Sequence, residues 1–454
     1  MRSVLSNVLV KDKGFYKKLM MMSLPIIAQS MITIGINMLD TMMLGSYGEI
    51  QLSASSLAND FINIFQILCM GMGCGAAVLT AQYWGNHEIP SLKKAVALML
   101  RISIVIGTVF TIVTAIFAKE IMYIYTDDLL VIEKGVIYFR WSLVTFLLTS
   151  VSLTLTQILR SIRKVNIPLY ASIVGFIINI FANWVFIFGH FGMPEMQIAG
   201  AALGTVVARI IETAIILIYF FGIEKDVNFK VKDIFMKASD IMGKYIHYCL
   251  PVLASDSLLA FGNSALSIIV GHMGTSFVAA YAIIGVIQRL STVFTSGMGQ
   301  ASHTIIGNTI GESRLDDAYK EAITMLVIAF GLGLLSSVLM NLTGPFIISC
   351  YDIEESTRVI AMEMLVAISI MIVAQAMQAV ITKGILRGGG DTGFCLAIDA
   401  VFLWIVSVPL GCLSGLVWHM SAFIVVISLK IDWIIKTVLG IFRIISKKWI
   451  RYIV

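Results

Sequence analysis

Long apolar runs alternate with short polar connections along the whole chain, and the connections collect Lys, Arg, Asp, Gly and Pro. Each run holds about 20 residues, enough for one helix to cross a bilayer core of about 30 Å. The pattern predicts an all-α integral membrane protein with twelve helical spans, centred near residues 31, 68, 106, 147, 180, 211, 258, 293, 332, 372, 404 and 426. Only GCLSGL separates the last two, so their limits are the least marked. Several spans carry polar residues at helical spacing, which gathers them on one face. On the first, Ser30, Thr33, Asn37 and Asp40 form such a stripe; on the second, Asn59, Asn63 and Gln66 do, beside Asp60. GFIINIFANW on the fifth sets Asn179 and Asn183 one turn apart, and GAALGTVVARIIE on the sixth adds Thr205, Arg209 and Glu212.

Composition agrees with the pattern. The 454 residues are 58% hydrophobic and only 13% charged, against about a quarter charged in soluble domains. Mean hydropathy is +0.93. The opening MRSVLSNVLVKDKGFYKK has too short an apolar part for a secretory signal and no small-residue cleavage site, so the first span is expected to remain. Of the 32 Lys and Arg, 26 fall in connections on one side of this topology and 4 on the other. Positive charge marks the cytoplasmic side, so both termini are expected there. The net charge of +5 reflects that topology and gives no reason to expect nucleic-acid binding. The six cysteines are scattered without a CxxC and read as small core residues. The histidines show no ligand spacing, and no cofactor is expected.

Shifting the chain against itself by 226 residues reveals a repeat. Leu24-Pro25 falls on Leu250-Pro251, Asn37 on Asn263, Gly45 and Gly48 on Gly271 and Gly274, and Gly71-Met72-Gly73 on Gly297-Met298-Gly299. At an offset of 227, Ile158-Leu159-Arg160 meets Ile385-Leu386-Arg387. Six spans per repeat is an even number, so both halves enter the membrane in the same direction. They are then related by a pseudo-two-fold along the membrane normal, an architecture of secondary transporters. The expected organisation is a six-helix lobe over residues 1–222, a cytoplasmic linker over 223–244, a second lobe over 245–437 and a basic amphipathic tail over 438–454. GIFRIISKKWIRYIV predicts an interfacial helix on anionic lipid.

Most intramembrane Ser, Thr and Asn simply hydrogen-bond helices together. Asp40 is different. A carboxylate at a helix centre costs roughly 2.5–3.5 kcal/mol on translocon scales. Asp40 has no cationic neighbour on its own helix, and the repeat places Leu266 at the matching position. One carboxylate, two amide oxygens and a hydroxyl are hard ligands suited to an alkali cation. Burial disfavours the charged form, so a proton is the alternative occupant. Arg209 with Glu212 reads as an i, i+3 ion pair, and Asp256 with Arg289 as a structural pair at mid-membrane on consecutive helices. Pro25 removes a backbone hydrogen bond and permits a bend in the first span.

At Pro25, Asp40, GMGCGAAVLTAQYWG and GILRGGGDT, the sequence resembles the multidrug and toxic compound extrusion (MATE) transporters, and within them the bacterial DNA-damage-inducible branch. The resemblance runs from about residue 15 to 440. It implies a two-lobed antiporter of the bacterial inner membrane that exports bulky, often cationic organic compounds in exchange for Na⁺ or H⁺; a monomer is expected. It carries an amino-lobe cation site onto Asp40, Asn179, Asn183 and Thr205. Some members have an aspartate where this chain has Asn183, which leaves the ion open. Others place an acid on the tenth span, where Gln375 stands here, so no second cation site transfers. Asn37, Asn59, Asp60, Asn63, Gln66, Gln375 and Gln378 are candidate substrate-cavity residues. A lipid-linked oligosaccharide flippase is the rival within transport, but it would need several cavity arginines. An integral-membrane enzyme would need converging catalytic groups, and none is found.

Overall fold

The protein is described from a computed structural model covering residues 9–351 and 353–453; residues 1–8, read above as part of the mature chain, lie outside the described residues. The described residues form helices and connections without strands. We number the long helices α1 (Lys13–Gly45), α2 (Glu49–Gly85), α3 (Ile89–Tyr125), α4 (Leu129–Ser161), α5 (Asn166–Phe188) and α6 (Gln197–Ile223). The second series is α7 (Ser239–Gly271), α8 (Thr275–Gly311), α9 (Leu315–Ser349), α10 (Glu355–Leu386), α11 (Thr392–Val417) and α12 (Ala422–Ile445). The first eleven are long and apolar enough to cross a membrane. The twelfth is also present, with Lys430, Asp432 and Lys436 in its middle. Pro25 lies inside the unbroken α1.

The chain packs as two units whose borders cut through helices. Among the described residues, one comprises 28–80 and 88–249; the other comprises 9–27, 81–87, 250–351 and 353–453. The expected division at 222 and 245 differs from this. The start of α1 and the end of α2 pack with the second repeat, while the linker packs with the first.

In the first unit, Leu44, Ala54, Ala58, Met122, Tyr138, Phe139 and Ala202 build one core, and Phe65, Cys69 and Phe146 another. Phe65 stands edge-on to Phe146 with ring centroids 5.0 Å apart, a favoured aromatic geometry. The linker is folded onto this unit. Glu224 accepts from the backbone N–H groups of Asp226, Val227 and Asn228. Lys93 pairs with Asp233 at 3.1 Å, Lys94 with Asp240 at 2.6 Å and Lys164 with Asp226 at 2.9 Å. Arg101 donates to the carbonyls of Ile234 and Met236.

In the second unit, Leu266, Ile284, Met340, Leu365, Ile368, Val425 and Leu429 are among the core residues. The ends of α2 and α8 press together through repeat-related glycines. A Cβ on Gly85 would strike the Asn308 backbone, and one on Gly311 would strike that of Gln82. Between α10 and α11, Gly390 adopts φ +87°, which the tight RGGGDT turn requires. Gly389 leaves room for Trp449, which is fully buried.

The tail corrects the sequence reading. The helix ends at Ile445; residues 446–449 turn and 450–453 run without helix. Arg443 and Arg451 both bind Asp391, at 2.7 and 2.6 Å. Gln82 donates to the Arg451 carbonyl and accepts from the Ile453 N–H. Protein thus holds Arg443 and Arg451, two of the cations that the amphipathic pattern assigns to lipid.

Candidate functional site

Asp40, Asn179 and Asn183 come together inside the first unit, and Thr205 follows Gly204 on α6, which packs against Asn183. Gly200 and Gly204, four residues apart in GAALG, face the Phe186 backbone and Asn183 so tightly that a Cβ at either would clash. Small residues at this spacing let membrane helices cross backbone to backbone, and Thr205 lies at this crossing, next to Gly204.

Asn183 donates Nδ2 to Asp40 Oδ1 at 2.5 Å and makes a longer bond of 3.4 Å to Asn179 Oδ1. Asn179 and Asn183 are buried, at 1% and 0% exposure, and Asp40 is half-buried. Asn183 Oδ1, Asn179 Nδ2 and Thr205 Oγ1 are enclosed yet lack hydrogen-bond partners. Leaving a buried polar atom unpaired costs about 1–3 kcal/mol, so these atoms hold hydrogen-bonding capacity that helix packing leaves unused. The potential ligand atoms of Asp40, Asn179, Asn183 and Thr205 are all oxygens, the donor chemistry of an alkali cation.

The remaining α1 stripe is partly occupied locally. Thr33 donates to the Gln29 carbonyl at 3.0 Å, and Asn37 is exposed. On α2, Asn59, Asp60 and Asn63 are exposed and Gln66 is half-buried. Asn59 Oδ1 lies 3.5 Å from the Tyr138 hydroxyl. Gln375 and Gln378 belong to the other unit; Gln378 donates to Thr382 at 3.0 Å. The seven candidate cavity residues are therefore divided between the two units.

The expected pair Arg209–Glu212 is present, Nη1 to Oε2 at 2.5 Å. The pair Asp256–Arg289 is not. Asp256 takes a bidentate bond from Arg387, at 2.7 and 3.2 Å, while Arg289 is exposed with no ion pair among the described residues. The glycines after Arg387 make it look like a loop residue. In the structure α10 continues through a π-helical stretch, Val380–Leu386, and Arg387 is only 2% exposed.

The repeat held the missing signal. Arg160, which matches Arg387, donates to Gln29 at 2.6 Å, and Gln29 donates to Ser172 at 3.1 Å. In the second unit Arg387 donates to Ser255 at 3.2 Å, and Ser255 donates to Asp399 at 2.6 Å. Residues 29 and 255 differ by the repeat offset of 226, and 172 and 399 by 227. Two equivalent polar chains thus run through the two repeats.

With this geometry in view, comparison with known families is decisive. The MatE family model matches residues 25–185 and again residues 251–413, one match per repeat. The chain belongs to the MatE family. MatE proteins are transporters rather than enzymes. An uncharacterized Bacillus subtilis transporter, YisQ, is 23% identical over 414 residues, covering 91% of this chain and 90% of its own. The multidrug resistance protein NorM of Vibrio cholerae is 23% identical over 415 residues, 88% of each chain. An outward-facing structure of a multidrug resistance MATE transporter superposes with a TM-score of 0.86 at 18% identity, covering 95% of this chain and 96% of the other. These matches fix the MatE family and fold without singling out a branch.

Proposed function

We propose that this MatE protein exports bulky organic compounds, cationic ones among them, from a bacterial cell across the inner membrane, in exchange for Na⁺ or H⁺. Asp40 is the coupling carboxylate. The observation that carries this reading is the 2.5 Å bond from Asn183 to Asp40 within a set whose neighbouring Asn183 and Thr205 oxygens are unpaired. A Na⁺ ion there would be held by the Asp40 carboxylate and the oxygens of Asn179, Asn183 and Thr205. A proton would be held by Asp40 alone. Either occupant cancels the buried charge. Coupling requires that the occupant and the exported compound bind different states of the protein with different affinity.

Asp40→Asn keeps the side-chain volume and removes the charge. It should insert normally but lose gradient-driven dye efflux in proteoliposomes, under both a Na⁺ and a pH gradient. Asn183→Ala and Thr205→Ala should weaken the response to Na⁺ if Na⁺ is the ion, and matter less if it is H⁺. Wild-type efflux by Asp40→Asn with both dependences intact would overturn the assignment.

A further inference from the structure

A second polar site lies within the unit formed largely by α7–α12, where the sequence placed no ion. A cavity of about 230 Å³ opens there; its charged lining is Lys383 of α10 and Lys430, Asp432 and Lys436 of α12, with Gln288, Gln375 and Trp433 beside them. Its charges do not cancel. Lys436, 1% exposed, lies 2.9 Å from Asp432 Oδ2 and 3.2 Å from Asp399 Oδ1. The other oxygens of those carboxylates are taken by hydroxyls: Ser407 donates to Asp432 at 3.0 Å and Ser255 to Asp399 at 2.6 Å. Asp256 is engaged by both guanidinium nitrogens of Arg387.

Every carboxylate of the network is therefore committed, and Lys430 is left over. It is 7% exposed, it lines the cavity, and no ion pair to it exists among the described residues. Its Nζ lies 5.2 Å from the centroid of the Trp433 ring, which can accommodate a cation but does not neutralise one. Lys383, exposed on the cavity wall, likewise has no carboxylate partner among the described residues. Across the whole network four cations (Lys383, Arg387, Lys430 and Lys436) face three carboxylates (Asp256, Asp399 and Asp432). The surplus is one positive charge.

A buried ammonium without a counter-ion is costly, and lysines within membrane helices ordinarily face a partner or a polar path. Snorkelling does not relieve Lys430, which stands eight residues into α12, about 12 Å from its start. The side-chain amides of Gln288 and Gln375 also line the cavity, and their N–H groups can donate to an oxyanion.

We propose that this cavity binds a single anionic group, a carboxylate or phosphate, with Lys430 as its counter-ion and Trp433 against its apolar body. The group enters either on a soluble organic acid or zwitterion, or as the headgroup of an anionic lipid. The site is independent of the Asp40 reading and adds acidic or zwitterionic compounds to the ligands this protein takes.

The test uses the purified full-length protein in phosphatidylcholine nanodiscs, titrated calorimetrically with benzoate and with its uncharged isostere benzamide. Benzoate should bind saturably and benzamide about tenfold more weakly or worse. Lys430→Met should lose about tenfold or more in benzoate affinity, while Lys430→Arg retains it. A parallel arm replaces part of the phosphatidylcholine with phosphatidylglycerol and follows thermal unfolding. Stabilisation of wild type but not Lys430→Met, without benzoate binding, assigns the site to lipid headgroups. Equal binding of benzoate and benzamide overturns the proposal without recourse to any variant. So does the absence of a Lys430-dependent effect in both arms. Asp40→Asn should bind benzoate like wild type whatever happens to its efflux, so the two assignments fail separately.

Discussion

Single residues decide whether Asn183 reaches Asp40, and Gly204 is the most exacting of them. Its missing Cβ is the space that Asn183 Oδ1 occupies. Alanine raises helix propensity by about 1 kcal/mol over glycine, so Gly204→Ala should stabilise a helix that merely passes nearby. Here it should instead lower thermal stability by roughly 1–3 kcal/mol through overpacking and displace Asn183 from Asp40. Gly285, which has nothing within 4 Å of its Cβ position, is the control; Gly285→Ala should be neutral or slightly stabilising. Unfolding in detergent checks both, and a stabilised Gly204→Ala would remove the close crossing from the explanation. At this scale the sequence was partly legible. Asp40, Asn179, Asn183 and Thr205 could be named because each is a polar exception in an apolar span. The partner of Asp256 could not, because Arg387 sits among glycines that break the helical pattern while the π-helical stretch carries it into the interior. Neither Lys430 nor Lys436 stands out as a site residue in the sequence, because the interrupted final apolar run does not show where its helix lies.

Elements outside the bilayer show what charge does when water is near. The linker's short helical turn, Val231–Phe235, is anchored by Asp233, whose carboxylate accepts from the Lys230 backbone N–H at 3.0 Å and from Lys93 at 3.1 Å. These bonds, the backbone one first, hold the Asp233 carboxyl below its ordinary value of 3.8. A depressed folded value means the carboxylate's contribution is complete above pH 3.8 and is lost as pH falls further, through that lowered value. Hydrogen exchange of residues 224–238, corrected for intrinsic rates, should be flat from pH 7 to 5 and rise below 3.8. Asp233→Asn should abolish the step and raise exchange at pH 7 by no more than about fivefold, the scale of an exposed pair at 0.2–1 kcal/mol. A step that persists in Asp233→Asn would place its origin elsewhere. The tail teaches the complementary lesson. Its four-residue spacing of Arg443, Lys447 and Arg451 is genuine, yet periodicity cannot report that Asp391 is waiting for two of them or that Trp449 has a glycine-lined seat. Spacing specifies a helix only where no better partner ends it.

At the scale of the whole molecule the open matter is whether the chain crosses the membrane eleven or twelve times, because that parity sets the side of its C-terminus. Hydropathy alone favours eleven, since α12 carries Lys430, Asp432 and Lys436 at its centre. Contacts within the second unit favour twelve. Asp391 immediately precedes α11, and Arg443 from the last turn of α12 binds it at 2.7 Å. The end of α12 thus returns to where α11 begins. With 24 residues it is about 36 Å long, enough to recross the bilayer. Its charges are tolerable because Lys436 is shared between Asp432 on its own helix and Asp399 on α11. A fluorescent protein that folds only in the cytoplasm, fused after residue 454, should fluoresce, and alkaline phosphatase fused there should be inactive. Fusions after residue 419 should give the reverse pair. Phosphatase activity at the C-terminus would mean eleven spans. Lys436→Leu sharpens the test: it makes α12 more apolar, so hydropathy predicts better insertion and higher yield. The ion network predicts the opposite, because Asp399 and Asp432 lose their shared cation, and breaking a buried pair costs about 3–5 kcal/mol. Folded protein, measured by monodisperse elution in detergent, should therefore fall in Lys436→Leu and partly recover when Asp399→Asn is added; a yield above wild type for the single variant would show that the network does not hold this end of the protein together.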